Sequence, residues 1–253
     1  MSLYRNTVWF LKGMREYTRS GYEAAAKQFV AEDLEVNVAG RSYMITGANS
    51  GIGKATALAI AKKGGTIHLV CRKNAGCMVN NRELTEDGLE KTLATNTLGT
   101  YILTAALLPA MEKEDDARVI TVSSGGMLVQ KLNVLDLQFE TGTFDGTMAY
   151  AQNKRQQVIL TEHWAKPHPK IHFSIMHPGW ADTPAVRSSM PDFYEKMKNR
   201  LRTEEQGADT VVWLAISSAA TKHPSGLFFQ DRKPVSTHLP FAFTHSSPED
   251  EEK

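Results

Sequence analysis

The sequence of 253 residues has few cysteines, no excess of charge of one sign and no long apolar run. Its two cysteines, Cys71 and Cys77, cannot form a disulfide framework and lack companion ligands at a zinc-site spacing, so we expect reduced thiols and no metal. A net charge of +1 argues against a nucleic-acid-binding surface. A transmembrane helix needs about 20 consecutive apolar residues, and no such run occurs. A signal-peptide pattern is also missing. These absences predict a cytoplasmic protein, with peripheral membrane association and a homo-oligomer left open.

Short apolar segments alternate with helical segments along the chain. The predicted strands are 41–46, 66–70, 118–124, 171–179 and 226–231, and the predicted helices are 54–64, 85–115 with Thr85 as N-cap, and 150–166. Strands separated by helices predict an α/β fold, a Rossmann-like doubly wound parallel sheet in a single domain. We expect a helical extension over 1–39, the domain over 40–240 and an acidic flexible tail over 241–253. The amphipathic segment 7–17 is expected to pack on the domain, with a membrane-surface helix as the alternative.

A glycine-rich turn, TGANSGIG, connects the first predicted strand to the first helix of the domain. Gly47 permits a tight turn, Gly51 allows close approach of a pyrophosphate, and Gly53 allows the helix to pack close to the sheet. The N-terminus of the following helix presents free N–H groups to phosphate. The strand before this turn and the helix after it strengthen the interpretation as a nucleotide-binding site.

A tyrosine and a lysine one helical turn apart, Tyr150 and Lys154, share one face of a predicted helix. An ammonium group beside a phenol favours the phenolate, so we expect Lys154 to lower the pKa of Tyr150. Such a phenol can exchange a proton with a carbonyl or alcohol while a hydride moves. The chain contains a second pair, Tyr194 and Lys198, which we predict to lie on the surface or in a lid.

Six segments, TGANSGIG, NAG, LATNTLG, VSSGG, YAQNK and HPGWADTP, follow one another along residues 40–240. In this order they resemble the motifs of the short-chain dehydrogenase/reductase superfamily. The resemblance implies hydride transfer between a nicotinamide cofactor and an apolar alcohol or carbonyl substrate, bound beside a loop at 181–201. It implies that Tyr150 is the acid/base, that Lys154 lowers its pKa and holds the ribose, that Ser124 binds the substrate oxygen, and that Asn96 holds a water connected to Lys154.

The resemblance also implies a set of cofactor-binding residues. They are Gly47, Ser50, Gly51, Ile52, Gly53, Arg72, Asn74, Ala75, Gly76, Tyr150, Lys154, Pro178, Gly179 and Thr183. An acidic residue after the second strand would accept from the ribose of NAD, whereas a cation there suits the 2′-phosphate of NADP. Arg72 occupies this region, so NADP is favoured, with NAD as the alternative.

The distance between two of these motifs is too short. Asn74 follows Thr46 by 28 positions, whereas the family's order of elements needs roughly 70 residues there. We therefore predict an internal block missing between Lys73 and Asn74, and a sheet without its third strand and most of its fourth. Either the motif at Asn74–Gly76 is pulled from the cofactor site or the first strand closes directly on 118–124. The alternatives to an active enzyme are an inactive or regulatory variant with impaired cofactor binding and a non-enzymatic interaction module.

Overall fold

The computed structural model describes residues 2–71 and 76–252. The helices are α1 (Leu3–Glu16), α2 (Arg19–Ala26), α3 (Gly51–Ala61), α4 (Gly99–Met111), α5 (Gly146–Ala165), α6 (Pro184–Ser189), α7 (Pro191–Met197), α8 (Glu204–Ile216) and α9 (Pro248–Glu251). The strands are β1 (Ser42–Thr46), β2 (Thr66–Val70), β3 (Ala117–Val122), β4 (Ile171–Met176), β5 (Leu227–Gln230) and β6 (Lys233–Pro234). A π-helical segment, Leu93–Leu98, precedes α4, and a 3₁₀ turn, Gly125–Val129, follows β3.

The strands form two separate hydrogen-bonded sheets. β1 and β2 are parallel partners, and β3, β4 and β5 form a parallel sheet that β6 extends in the antiparallel sense. Within the described ranges no strand pairs with the inner edge of β1 or of β3. The α/β fold is thus confirmed, with its sheet interrupted where the missing strand was predicted. The direct closure of the first strand on 118–124 does not occur.

A shared core joins the two sheets into one domain. Ile45 and Ile67 of the first sheet and Ile120 of the second pack on one cluster with Trp213 and Leu214 of α8. On the opposite face of the second sheet, α5 packs through residues such as Val158 against Ile175. Helices therefore cover both faces of the larger sheet, as in a doubly wound fold.

The helix predicted over 85–115 begins later than expected. Thr85 closes a turn, in which its hydroxyl accepts the N–H of Leu89. The carboxylate of Glu90 accepts the N–H groups of Thr92 and Leu93, at 2.9 and 2.8 Å, where the helical backbone starts. Glu90 therefore performs the capping that we assigned to Thr85, because its longer side chain reaches the free N–H groups from the residue before the helix.

Both terminal segments pack on the domain. Gly13 and Tyr17 of the extension are buried, with Gly13 against the ring of Trp180. In the segment 241–253, for which we predict a loose tail, Ala242 and Thr244 are buried, and the Ala242 carbonyl accepts a 2.7 Å hydrogen bond from Arg5 of α1. No helix among the described residues is long and apolar enough to cross a membrane.

Candidate active site

The structure brings Ser124, Tyr150 and Lys154 together at the carboxyl end of β3. Tyr150 and Lys154 lie on α5, with the Lys154 Nζ 5.4 Å from the centre of the Tyr150 ring. The Lys154 ammonium is buried and donates to the Val122 carbonyl at 3.0 Å and to Gln157 Oε1 at 2.9 Å. The end of β3 and one turn of α5 thus fix the lysine beside the phenol.

The two serines after β3 have different tasks. The Ser123 hydroxyl donates to the Lys154 carbonyl at 2.9 Å and fastens β3 to α5. The Ser124 hydroxyl caps the 3₁₀ turn by accepting the N–H of Gly126 at 3.2 Å. Its hydroxyl also forms a hydrogen bond with Tyr150, so the two groups lie side by side. A hydroxyl group can exchange such a partner for a substrate oxygen.

Burial controls the pKa values of the pair. Burial raises the pKa of Tyr150 to about 12, opposed by a hydrogen bond with Ser124. Burial lowers the pKa of Lys154 to about 8. In this structure burial therefore outweighs the lowering of the Tyr150 pKa that we predict from Lys154, because desolvation penalises both charged forms. Near pH 7 the phenol holds its proton and can act as a donor.

Asn96 lies buried in the π-helical segment and holds the neighbouring chain. Its side chain accepts the Cys77 N–H and donates to the Cys77 carbonyl, each at 2.8 Å. Gly76 also lies against the Asn96 side chain, so this end of the Asn-Ala-Gly motif stays at the site. Gly76 is the one residue of the Asn-Ala-Gly motif among the described residues, and it lies beside Asn96.

Gln157 is a site residue that sequence reasoning missed. Its Oε1 accepts from Lys154, and its Nε2 donates to the Asn96 carbonyl at 2.6 Å and to Thr100 Oγ1 at 3.2 Å. It thereby connects the lysine to Asn96 directly. The water that we predict at Asn96, as a link from Lys154 to bulk solvent, stays a prediction. The signal was a glutamine three residues after Lys154, on the helix face that also carries the lysine.

The glycine-rich turn has the expected backbone. Gly47 and Gly51 have φ of 63° and 55°, the left-handed region that favours glycine. A Cβ on Gly53 would lie 2.4 Å from the Gly47 carbonyl oxygen, so the close approach requires glycine. Ser50 precedes α3 without capping it through its side chain, and the first turn of α3 has no acidic residue. Its N–H groups and the Ser50 hydroxyl can therefore face a phosphate.

The segment after β4 faces this turn. A Cβ on Gly51 would lie 3.5 Å from Thr183, which caps α6. Gly179 has φ 75° and leaves room for Arg202, whose guanidinium also contacts the Pro178 carbonyl at 3.4 Å. Ile52 points away from the turn and packs against Gly207 of α8, so only its backbone can serve a phosphate. The segment predicted to bind the pyrophosphate thus contacts, at Gly51, the segment predicted to bind the nicotinamide, at Thr183.

The remaining predictions concern three residues that the structure does not describe, the second tyrosine–lysine pair and metal binding. Arg72, Asn74 and Ala75 lie outside the described residues. Lys198 pairs with Glu195 at 2.7 Å, and the Tyr194 ring lies under Arg187, so the second pair lacks the buried setting of the first. Among the described residues, no group of histidine, cysteine and acidic side chains is arranged to hold a metal ion.

Similarity to known proteins places this geometry in a family. Dehydrogenase/reductase SDR family member 12 of Homo sapiens is 60% identical over 304 aligned positions, which include 100% of this chain and 96% of that protein. The chain belongs to the short-chain dehydrogenase/reductase family. The family model described as short chain dehydrogenase matches residues 72–135. Because the alignment spans 304 positions against 253 residues, at least 51 positions of the human protein have no counterpart inside this chain.

Solved structures of two reductases share the fold. The crystal structure of angucycline C-6 ketoreductase LanV with bound NADP has a TM-score of 0.59 and 19% identity, and covers 78% of this chain and 95% of that one. The 3-ketoacyl-(acyl-carrier-protein) reductase from Brucella melitensis, complexed with NADH, has a TM-score of 0.57 and 17% identity, and covers 75% of this chain and 96% of that one. These two reductase structures therefore match this chain in fold.

Proposed function

We propose that this chain transfers hydride between NADP(H) and an apolar alcohol or carbonyl substrate, with Tyr150 as the acid/base. The observation that carries the proposal is the meeting of Ser124, Tyr150 and Lys154 at one end of β3. The lysine is fixed by Val122 and Gln157. The Ser124 hydroxyl, which caps the turn after β3, is hydrogen-bonded with Tyr150. Carbonyl reduction needs this combination of a proton donor and a hydrogen-bond donor at the substrate oxygen.

The protonation states favour the reducing direction. A reduced nicotinamide cofactor, held by the residues of the glycine-rich turn, would supply hydride for the carbonyl carbon. Tyr150, protonated because burial raises its pKa to about 12, gives its proton to the carbonyl oxygen, while Ser124 donates a hydrogen bond to the same atom. The Lys154 ammonium, with a pKa of about 8, stabilises the phenolate that remains. Lys154 loses its charge as the pH rises through about 8, so we expect reduction to slow in alkaline solution.

The cofactor preference rests on the turn before α3 and on relatives. Glycine backbone at Gly47, Gly51 and Gly53 leaves space for a pyrophosphate at the α3 N-terminus, with Thr183 opposite. The solved ketoreductase LanV has NADP bound. Together with the cation predicted at Arg72, these points support NADP, with NAD as the alternative.

The apolar substrate is supported by the side chains beside the proposed site. Trp180, Phe193 and Met197 form a cluster with Trp9 and Tyr17 of the extension. Phe193 and Met197 of this cluster lie in the loop 181–201, and Trp9 and Tyr17 contact Gly125, next to Ser124. Aromatic and aliphatic side chains beside a site favour a substrate with an apolar body.

The test compares the unchanged chain with Tyr150→Phe in NADPH oxidation by apolar aldehydes and ketones. Loss of the proton donor should lower kcat by about 10²- to 10⁴-fold, while NADPH binding, followed by fluorescence, stays unchanged. Tyr101→Phe is the matched control, because Tyr101 lies exposed on α4 and stacks on Trp164. Activity of Tyr150→Phe within a few-fold of the unchanged chain would refute the role of Tyr150.

A second candidate is an inactive or regulatory variant with impaired cofactor binding. The interrupted sheet favours it, because β1, which ends in the glycine-rich turn, pairs only with β2 among the described strands. A turn on a weakly held strand loses the preorganisation that binding requires. An NADPH titration separates the two candidates: tight, stoichiometric binding supports the enzyme, and no saturation at millimolar NADPH supports the variant.

A further inference from the structure

The N-terminal extension contacts the chain next to the proposed catalytic serine. The indole N–H of Trp9, on α1, donates to the Gly125 carbonyl at 2.7 Å. Gly125 directly follows Ser124 and begins the 3₁₀ turn that Ser124 caps. A residue outside the domain predicted over 40–240 thus holds the backbone at the active site.

Two further contacts fix the same glycine. The Gly125 N–H donates to His177 Nδ1 at 2.8 Å. A Cβ on Gly125 would lie 2.8 Å from His177 Nε2 and 3.0 Å from Tyr17 Cε2, so the two rings enclose its Cα. Both polar groups of Gly125 are therefore bonded, and no larger residue fits between the rings.

The extension also holds the segment that follows β4. The Trp180 N–H donates to the Tyr17 carbonyl at 2.8 Å, and the Trp9 and Trp180 rings meet edge to face with centroids 5.6 Å apart. α1 thus contacts the ends of β3 and β4 at once. These two strand ends carry Ser124 and the Pro178–Gly179 pair.

We propose that Trp9 is a positioning residue for the reaction, because its hydrogen bond to Gly125 keeps the Ser124 hydroxyl directed at the substrate oxygen. The inference rests on the proposed function. Small errors in the position of such a donor reduce rates strongly. Trp9 is not among the predicted cofactor-binding residues, so its effect should appear in kcat and not in the KM for NADPH.

Trp9→Phe removes the indole N–H and keeps an aromatic ring. We expect about tenfold lower kcat at unchanged KM for NADPH, and about tenfold faster hydrogen exchange of the Gly125 and Gly126 amides. Trp213→Phe is the matched control. The indole N–H of Trp213 also donates to the extension, to Asp33 Oδ2 at 2.8 Å, but this bond lies away from Ser124. The control should change neither quantity.

The outcomes separate this proposal from the proposed function. Unchanged kcat or unchanged amide exchange in Trp9→Phe, with an active unchanged chain, would overturn the positioning role alone. If the unchanged chain shows no Tyr150-dependent turnover, the proposed function fails and amide exchange decides whether Trp9 holds the turn. Should Trp9→Phe fail to fold, the indole N–H resonance of Trp9 in the unchanged chain decides, and rapid exchange with water would refute the hydrogen bond.

Discussion

The half of the domain that carries Tyr150 differs sharply in packing from the half that carries the glycine-rich turn. In β4 every residue except His172 is buried, whereas no residue of β1 or β2 is buried. Met44 and Val70, 41% and 38% exposed, lie on the face of the small sheet opposite α3. Leu98, Tyr101 and Ile102 on and before α4 are also exposed.

The missing strand accounts for this contrast. In an α/β sheet a central parallel strand is hydrogen-bonded on both edges and covered on both faces. β1 has one bonded edge and one covered face, and at least 51 positions of the human relative have no counterpart here. β3, which leads to Ser124, also lacks a partner on its inner edge, but helices cover both of its faces. The half with the proposed catalytic residues is therefore better packed than the half with the proposed cofactor turn.

The largest loss of stability should follow from removing the buried ion pair between Arg202 and Asp231, in the half of the domain that carries Tyr150. Arg202 forms two bonds with Asp231, at 2.6 and 3.0 Å, and also donates to the Tyr17 carbonyl. Arg202→Ala would leave a buried carboxylate without its partner, so we expect a loss of about 3–5 kcal/mol of unfolding free energy in urea denaturation.

Arg41→Ala provides the control from the other half. Arg41 pairs with Asp116 at 3.1 Å, and both side chains are more than 40% exposed. An exposed pair of this kind contributes about 0–1 kcal/mol. Equal losses of unfolding free energy in Arg202→Ala and Arg41→Ala would contradict the difference in packing between the two halves.

A second, smaller effect concerns pH. Burial, with Arg202 and Lys12, lowers the pKa of His177 to about 3 from 6.5. Between these values the unfolded chain binds a proton that the folded chain does not, so acidification destabilises the fold. The slope approaches about 1.4 kcal/mol per pH unit. Urea denaturation between pH 6.5 and 4 should therefore show a smaller slope for His177→Gln.

The test is the difference in slope between the unchanged chain and His177→Gln, and not the total slope of either. His238, with a pKa lowered to about 4, mainly by burial, adds a slope in the same direction and is present in both chains. Identical slopes for the unchanged chain and His177→Gln would mean that the ring gains solvent access in the folded state.

Local patterns made part of this molecule predictable. The glycine-rich turn, the pairing of Tyr150 with Lys154 on one helix face, and the end of α5 before Pro167 all follow from spacing within a few residues. The missing block was also predictable, because 28 positions cannot hold the elements that the family places there. Such features depend on sequence neighbours alone.

What depends on distant contacts was not predictable. The raised pKa of Tyr150 comes from burial by residues far along the chain, and the Trp9 bond to Gly125 joins positions 116 apart. The two hydrogen bonds between Asn96 and Cys77 likewise join residues that are 19 positions apart. No periodicity or motif in a single sequence records which remote side chain fills such a position.

The smallest effect should come from the exposed face of β1, and it tests the contrast most directly. Met44 and Met176 occupy strands of the two halves, but Met176 is fully buried. Met176→Ala should cost about 2–5 kcal/mol by leaving a cavity. Met44→Ala removes a side chain that already meets solvent, so we expect a change within about 0.5 kcal/mol in the same urea titration. A large loss for Met44→Ala would mean that this face is covered in solution. Because the described part of the chain leaves it open, a loss that also grows with protein concentration would show that another molecule supplies the cover.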